Sequence, residues 1–195
     1  MISFRNRWIF VHLPKTAGSA IERALMGHTE DRHLDPGHPD TSDIYSELDN
    51  RFTKHSGIYT FIDAGIDLAE YFVFTVIRNP WDRAVSTMVS PHWWAGGVPN
   101  PTLREAIGRC VTADQMLCHE DEPLDAHFDM VLRYEHLQRD FDTLCKRIGV
   151  PATELPEVLP GIHMHYRRYY YAETEAMVSE RFAKEIAFGN YRLGD

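Results

Sequence analysis

Thiols are scarce in this chain. Its cysteines are Cys110, Cys118 and Cys145, an odd number with no C-x-x-C pair. That pattern excludes a disulfide framework and argues against a thiolate zinc site. Free thiols point to a reducing compartment, most simply the cytoplasm. Long apolar runs are missing, so no segment reads as a membrane span. The opening residues, Met1-Ile2-Ser3-Phe4-Arg5-Asn6-Arg7, lack a signal-peptide core. Positive charge is in deficit: 20 Lys and Arg face 29 Asp and Glu, a net −9 with histidine neutral. A general nucleic-acid binder needs a basic field to capture phosphates, so that class is set aside. One local anion site remains compatible with the sum. Repeats and low-complexity tracts are absent as well.

What is present describes a globular domain. The 195 residues are 44% hydrophobic and 25% charged, close to globular averages. A chain of this length folds as one domain, 1–195, and buries roughly 70% of its unfolded surface. Eleven histidines are more than expected, which directs attention to them as site residues.

Residues 8–13 (WIFVHL) form a short continuous apolar run, the pattern of a buried parallel strand. Pro14 ends it, a small-residue turn follows, and residues 20–26 read as a helix with Ala20, Ile21, Ala24 and Leu25 on one face. Residues 27–50 are acidic and turn-rich and read as a long mobile loop, with a short helix over 42–48. Residues 71–77 (YFVFTVI) are apolar on both faces and belong at the centre of a sheet. A helix over 81–89 follows, with Pro80 at its first position. In that helix Trp81, Val85 and Met88 read as core contacts and Arg83 as a solvated charge. Further helices fall at 102–109, 113–119, 135–148 and 174–187, and a strand at 128–133. The last helix carries a stripe of Val178, Phe182 and Ile186. Residues 91–101 form a second mobile loop, with Trp93 and Trp94 adjacent in it. Strands alternating with helices predict an α/β fold: a central, mainly parallel sheet flanked by helices.

Two segments carry anion-binding chemistry. Pro14-Lys15-Thr16-Ala17-Gly18-Ser19-Ala20 lies between the first strand and the first helix. Small residues let backbone amides approach an anion, and the helix start adds partial positive charge. Lys15 supplies a point charge, and Thr16 and Ser19 supply hydroxyls. The Walker pattern G-x-x-x-x-G-K-[ST] is not matched, because the lysine comes before Gly18, and an ATP kinase site is disfavoured. The second segment begins with Arg78 at the end of the central strand. Ser86 lies eight residues on, two turns into the next helix. Open α/β sheets bind ligands at strand C-terminal ends, and arginine gives charged, bidentate donors there.

Together, F-V-H-L-P-K-T-A-G-S-A and F-T-V-I-R-N-P-W-D-R-A-V-S resemble the sulfotransferases that use 3′-phosphoadenosine-5′-phosphosulfate (PAPS), in their carbohydrate-type branch and its bacterial relatives. The resemblance implies a P-loop NTPase-like sulfotransferase fold. It implies that Lys15, Thr16, Ala17, Gly18, Ser19 and Ala20 bind the 5′-phosphosulfate. Arg78 and Ser86 would bind the 3′-phosphate. The pair Lys54-His55 stands where these relatives carry K-H. Residues 128–137 resemble their F-D-x-V-x-R-[FY]-E-x-L junction, 166–170 their Y-R-x-Y-Y segment, and Phe188-Gly189-Asn190-Tyr191 their terminal F-G-Y with Asn190 inserted.

The implied reaction is an in-line transfer of a sulfuryl group to a hydroxyl of a carbohydrate or small-molecule acceptor, leaving 3′,5′-adenosine bisphosphate (PAP). The family needs no metal. Lys15 is the candidate for stabilising the leaving group. His55 is the candidate general base, since histidine accepts protons near neutral pH. His28, His33 and His38 lie in the same interval between the two motifs. His12 reads as a packed residue, and Arg133 and Glu135 as a structural ion pair. Arg167 and Arg168 are candidates for closing over the nucleotide. The tryptophans of 91–101 read either as a loop anchor or as an acceptor platform. The acidic 30–49 stretch favours a neutral or cationic acceptor over a sulfated polyanion. Two other readings stay open: a kinase-like phosphotransferase, and a non-catalytic nucleotide-binding relative.

Overall fold

The computed structural model describes residues 1–29, 52–90, 101–157 and 164–195. Most of the two predicted loops, with His33, His38, Trp93 and Trp94, lies outside these residues. The described part holds a four-stranded sheet in the order β1-β2-β3-β4. β1 (Ile2–Ser3) pairs antiparallel with β2 (Trp8–Val11). β2, β3 (Phe72–Ile77) and β4 (Met130–Arg133) are mutually parallel neighbours. The strongest apolar run is therefore a central strand, as expected, and the sheet is mainly parallel. The antiparallel edge is the one strand the sequence pattern did not announce, because two residues carry no period.

Alternation along the strands builds two apolar layers. Trp8, Phe10, Phe74, Val76 and Leu132 point to one face, where α1 (Gly18–Leu25) and α6 (Leu137–Ile148) cover them. Phe10 stacks on Phe74 at 5.0 Å between ring centroids. Ile9, Val11, Val73 and Ile77 point to the other face. There α2 (Ile58–Asp63), α3 (Pro80–Met88), α4 (Leu103–Arg109) and α5 (Asp114–Leu117) contribute to the cover. α7 (Ala172–Arg181) and α8 (Ala183–Gly189) complete it. Each fully buried large side chain of these layers contributes about 2–3 kcal/mol. This is the predicted two-faced α/β arrangement.

Three local expectations are corrected. The C-terminal helix is two helices, because Phe182 leaves helical geometry at φ −110° and ψ 28°. Arg83 is not a solvated charge: it is fully buried and bridges Glu185 of α8 at 2.7 Å. Arg133 and Glu135 do not pair. Arg133 donates to the Gly189 carbonyl at 2.8 Å, while Glu135 accepts from the Asn79 amide at 2.7 Å and Tyr191 at 3.1 Å. The F-G-N-Y tail explains the second partner. Asn190 takes a left-handed conformation (φ 50°) that ends α8, and Tyr191 folds back onto Gly189, where a Cβ would lie 2.1 Å from its ring.

Candidate functional site

The site forms where β2 and β3 end. The turn after β2 is held in an unusual conformation, with Lys15 at φ 67° and Ala17 at φ 63°. Left-handed non-glycine residues cost free energy and concentrate at functional loops. Thr16 is buried, and its hydroxyl donates to the Leu13 carbonyl at 2.7 Å, which pins the turn. Its hydroxyl is thus spent within the loop. Ala17 starts α1 without a side-chain cap and no acidic residue sits in the first turn. The positive end of the helix is left open to an anion. Ala20 is buried and turns its amide to the Ala17 carbonyl at 2.9 Å. Gly18 has a different task from the one expected of a small loop residue. A Cβ there would lie 2.1 Å from the His12 ring, so the missing side chain makes room for that histidine.

The Lys54-His55 pair reaches the same place from a tight turn. The Thr53 amide donates to Ser56 Oγ at 2.8 Å, and the Ser56 amide to the Thr53 carbonyl at 3.1 Å. Phe52, stacked on Phe61 of α2 at 4.7 Å, anchors the turn in the core. His55 Nδ1 lies 3.1 Å from the His12 carbonyl. A carbonyl only accepts, so Nδ1 carries the proton and Nε2 is the lone-pair nitrogen. Burial holds His55 down at about 4, assisted by His12 and Lys54, so the ring is neutral at physiological pH. Both properties suit a general base.

Arg78 is buried at the end of β3 and fixed on three sides. Nε and Nη2 donate to Asp82 Oδ2 at 2.8 and 2.7 Å, and Nη1 donates to the Lys15 carbonyl at 3.0 Å. The guanidinium lies 3.8 Å above the centre of the Tyr134 ring. A guanidinium has five N–H donors; described residues engage three of them here. Asp82 and Ser86 follow at helical spacing along one stripe of α3. Ser86 is buried and makes no hydrogen bond among the described residues. Asn79 caps α3 through Trp81 and also donates to Tyr166 at 3.2 Å. That bond docks the 3₁₀ turn Tyr166–Tyr169 on the start of α3, with Tyr170 donating to the Trp81 carbonyl at 2.8 Å. Arg167 and Arg168 are exposed on this turn and form no ion pair with a described residue.

Lys15 sits in the resulting cationic field. Burial, Arg78 and Lys54 together lower it to about 8. Of the predicted residues, the structure thus links Lys15, Ser19, His55 and Arg78, and puts Ser86, Arg167 and Arg168 on elements packed beside them. Sequence reasoning missed Glu22 and gave Lys54 no task. Lys54 Nζ donates to Ser19 Oγ at 2.8 Å and pairs with Glu22 Oε2 at 3.2 Å. His12 is packed, as expected, and its Nδ1 meets Glu22 Oε1 at 2.9 Å. A charged residue on the apolar-facing side of α1 was the available signal. Among the described residues no cluster of three His, Cys, Asp or Glu side chains is placed to hold a metal, and no helix is long and apolar enough to cross a membrane.

No family model and no curated protein matches the sequence. Solved structures do. The chain overlays a mouse sulfotransferase, SULT7A1 complexed with PAP, at a TM-score of 0.55 and 16% identity, covering 97% of this chain and 87% of that one. A sulfotransferase from Alicyclobacillus acidocaldarius overlays at a TM-score of 0.44 and 16% identity, covering 96% and 97%. The second overlay is too loose to add weight. The first shows that this chain has the α/β sulfotransferase fold.

Proposed function

We propose that this chain is a PAPS-dependent sulfotransferase acting on a hydroxyl of a carbohydrate or small-molecule acceptor. The observation that carries the reading is the direct bond between its two anion anchors, from Arg78 Nη1 to the Lys15 carbonyl. It joins the loop after β2 to the end of β3, beside a histidine with its Nε2 unprotonated. The shared fold with a PAP-bound enzyme supports the same donor.

The Lys15-to-Ala20 loop holds the 5′-phosphosulfate through backbone amides, the Ser19 hydroxyl and the Lys15 ammonium. Arg78 and Ser86 hold the 3′-phosphate, and Arg167 and Arg168 cover the nucleotide. The acceptor oxygen attacks sulfur while the bond from sulfur to the 5′-phosphate oxygen breaks. The acceptor proton passes to His55 Nε2. The electron pair of the broken bond stays on PAP, and Lys15 balances that charge. Positioning and charge compensation do most of the work, as in phosphoryl transfer. The acidity of the chain favours a neutral or cationic acceptor. A cytoplasmic setting belongs to the same reading, since none of Cys110, Cys118 and Cys145 forms a disulfide.

Calorimetry with PAP and ADP, followed by label transfer from radioactive PAPS to an acceptor panel with chelator present, tests the proposal. PAP should bind at least tenfold more tightly than ADP, and transfer should persist without metal. Equal affinity for the two nucleotides would remove the 3′-phosphate pocket. ATP turnover strictly dependent on Mg²⁺ would replace the reading with a kinase. A heparin-like polymer sulfated far faster than neutral sugars would overturn the acceptor preference.

A further inference from the structure

Glu22 is a buried acid in a helix that should bury only apolar groups. It lies in the second turn of α1 and is 3% exposed. An unpaired carboxylate at that depth costs several kcal/mol, so its retention calls for partners. It has two. Oε1 meets His12 Nδ1 at 2.9 Å, and Oε2 lies 3.2 Å from Lys54 Nζ. Each partner leads onward to a different part of the site.

The first arm runs to the anion loop. Lys54 Nζ donates to Ser19 Oγ at 2.8 Å. An ammonium never accepts, so Ser19 Oγ is the acceptor and its own proton turns elsewhere. Ser19 stands in the first turn of α1. The second arm runs to the base. Glu22 fixes the Nδ1–H tautomer of His12, and the ring is clamped between Phe10, stacked at 5.5 Å, and the space left by Gly18. The His12 carbonyl takes the Nδ1–H of His55 at 3.1 Å, and the two imidazoles meet edge to face at 4.6 Å.

Resting on the sulfotransferase reading, we propose that Glu22 is a positioning residue of the transfer site: one carboxylate orients the Ser19 hydroxyl through Lys54 and the His55 base through His12. Glu22 touches neither substrate; it acts through the groups it holds. Burial would raise its pKa, but His12 and Lys54 outweigh that and hold it at about 2, so it keeps its charge wherever the protein works. The pair reaches across the chain: Lys54 stands 35 residues from Ser19, and His55 stands 43 from His12. One side chain on α1 therefore fixes both the donor side and the acceptor side of the reaction.

The test uses the full chain with Glu22→Gln, Lys54→Met and His55→Ala, alone and in pairs. Glu22→Gln keeps the shape but sets an amide against the Lys54 ammonium. Its turnover per folded molecule at saturating PAPS should fall at least tenfold. Each double variant containing Glu22→Gln should lose at least threefold less than the product of its two single losses. Losses that multiply, or a Glu22→Gln enzyme with lowered melting temperature and unchanged turnover, would reduce Glu22 to a structural ion pair and overturn the proposal. A second variant, Glu22→Asp, keeps the charge and shortens the reach. It should fold and still lose turnover at least fivefold; full turnover overturns the proposal. Imidazole ¹⁵N spectra separate this inference from the assigned activity. The native His55 should be the Nδ1–H tautomer held on the His12 carbonyl, and Glu22→Gln should shift its ring ¹⁵N resonances as the His12 ring packed against it moves. A wild-type chain that transfers no sulfuryl group sinks the function, while an unmoved His55 imidazole spectrum in Glu22→Gln sinks the role of Glu22.

Discussion

Arg78 and Lys15 are bonded directly, guanidinium to backbone carbonyl at 3.0 Å, across 63 positions of sequence. The contact explains how a turn with Lys15 at φ 67° is kept in place without a glycine there. It also means that the two proposed anion anchors share one support. Loss of the Arg78 guanidinium removes the bond that holds the Lys15 turn.

Replacement of Arg78 by lysine should therefore cost more than one hydrogen bond. Lysine lacks the planar fork that serves Lys15, Asp82 and, in the proposed complex, the 3′-phosphate. PAP affinity should fall at least tenfold, measured by calorimetry, with the fold intact by circular dichroism. Ser86→Ala isolates the contact proposed for the 3′-phosphate. A hydrogen bond to a charged group is worth about 1.5–3 kcal/mol, so the preference for PAP over ADP should drop roughly ten- to hundredfold while ADP binding stays constant. An unchanged preference would remove Ser86 from the pocket.

In the proposed reaction, the titrating pair of His55 and Lys15 sets a working range. His55 must be neutral to take a proton, and it is held at about 4. Lys15 must be charged to balance PAP, and it is held at about 8. The rate constant kcat/KM should therefore rise with pH through about 4, stay level, and fall through about 8. Stability follows the same histidine. Its folded pKa lies below the ordinary 6.5, so the unfolded chain binds the proton first. The stabilisation is complete above about 6.5 and is lost as pH falls toward about 4. His55→Ala should lower turnover roughly 10²–10⁴-fold and flatten the acid limb. A retained acid limb would assign it to another group.

Much of the fold was legible because its signals are local. The runs at Trp8 and Phe72 are continuous and apolar, and Pro80 marks a helix start that the structure reproduces. Lys15, Ser19, Arg78 and Ser86 were legible from two short motifs. The remainder depends on partners far apart in sequence. Nothing near Glu22 announces His12 and Lys54 as its ligands. Nothing near Arg83 announces Glu185, 102 residues on. A helical charge looks solvated until the chain that covers it is placed.

Gly18 offers a sharp steric test. A methyl group at this position would collide with the His12 ring, 2.1 Å from the Cβ site. Gly18→Ala must push His12 off Glu22 or shift the loop. Such overpacking costs about 1–3 kcal/mol, read as a lower midpoint in urea. Turnover should fall with it, because the His12 carbonyl is the acceptor that fixes His55. A variant as stable and active as the native chain would show that His12 has somewhere else to go.

The Arg83–Glu185 pair predicts a different pattern. Arg83 Nη2 meets both carboxylate oxygens at 2.7 Å, and Glu185 also accepts from the Ala113 amide at 2.6 Å. The pair ties α8 to α3, the helix that carries Ser86, and to the segment before α5. Removing one charge strands the other where water does not reach. Arg83→Met or Glu185→Gln alone should destabilise by about 3–5 kcal/mol. Replacing both, Arg83→Met with Glu185→Leu, should recover much of that loss, because neither charge is then left buried. The Ala113 amide would still lose its acceptor, so recovery should stop short of the native stability. Denaturant melts of the three variants decide the matter: a double variant no more stable than the worse single would mean that the carboxylate's bond to Ala113, not its charge pairing, holds α8 in place.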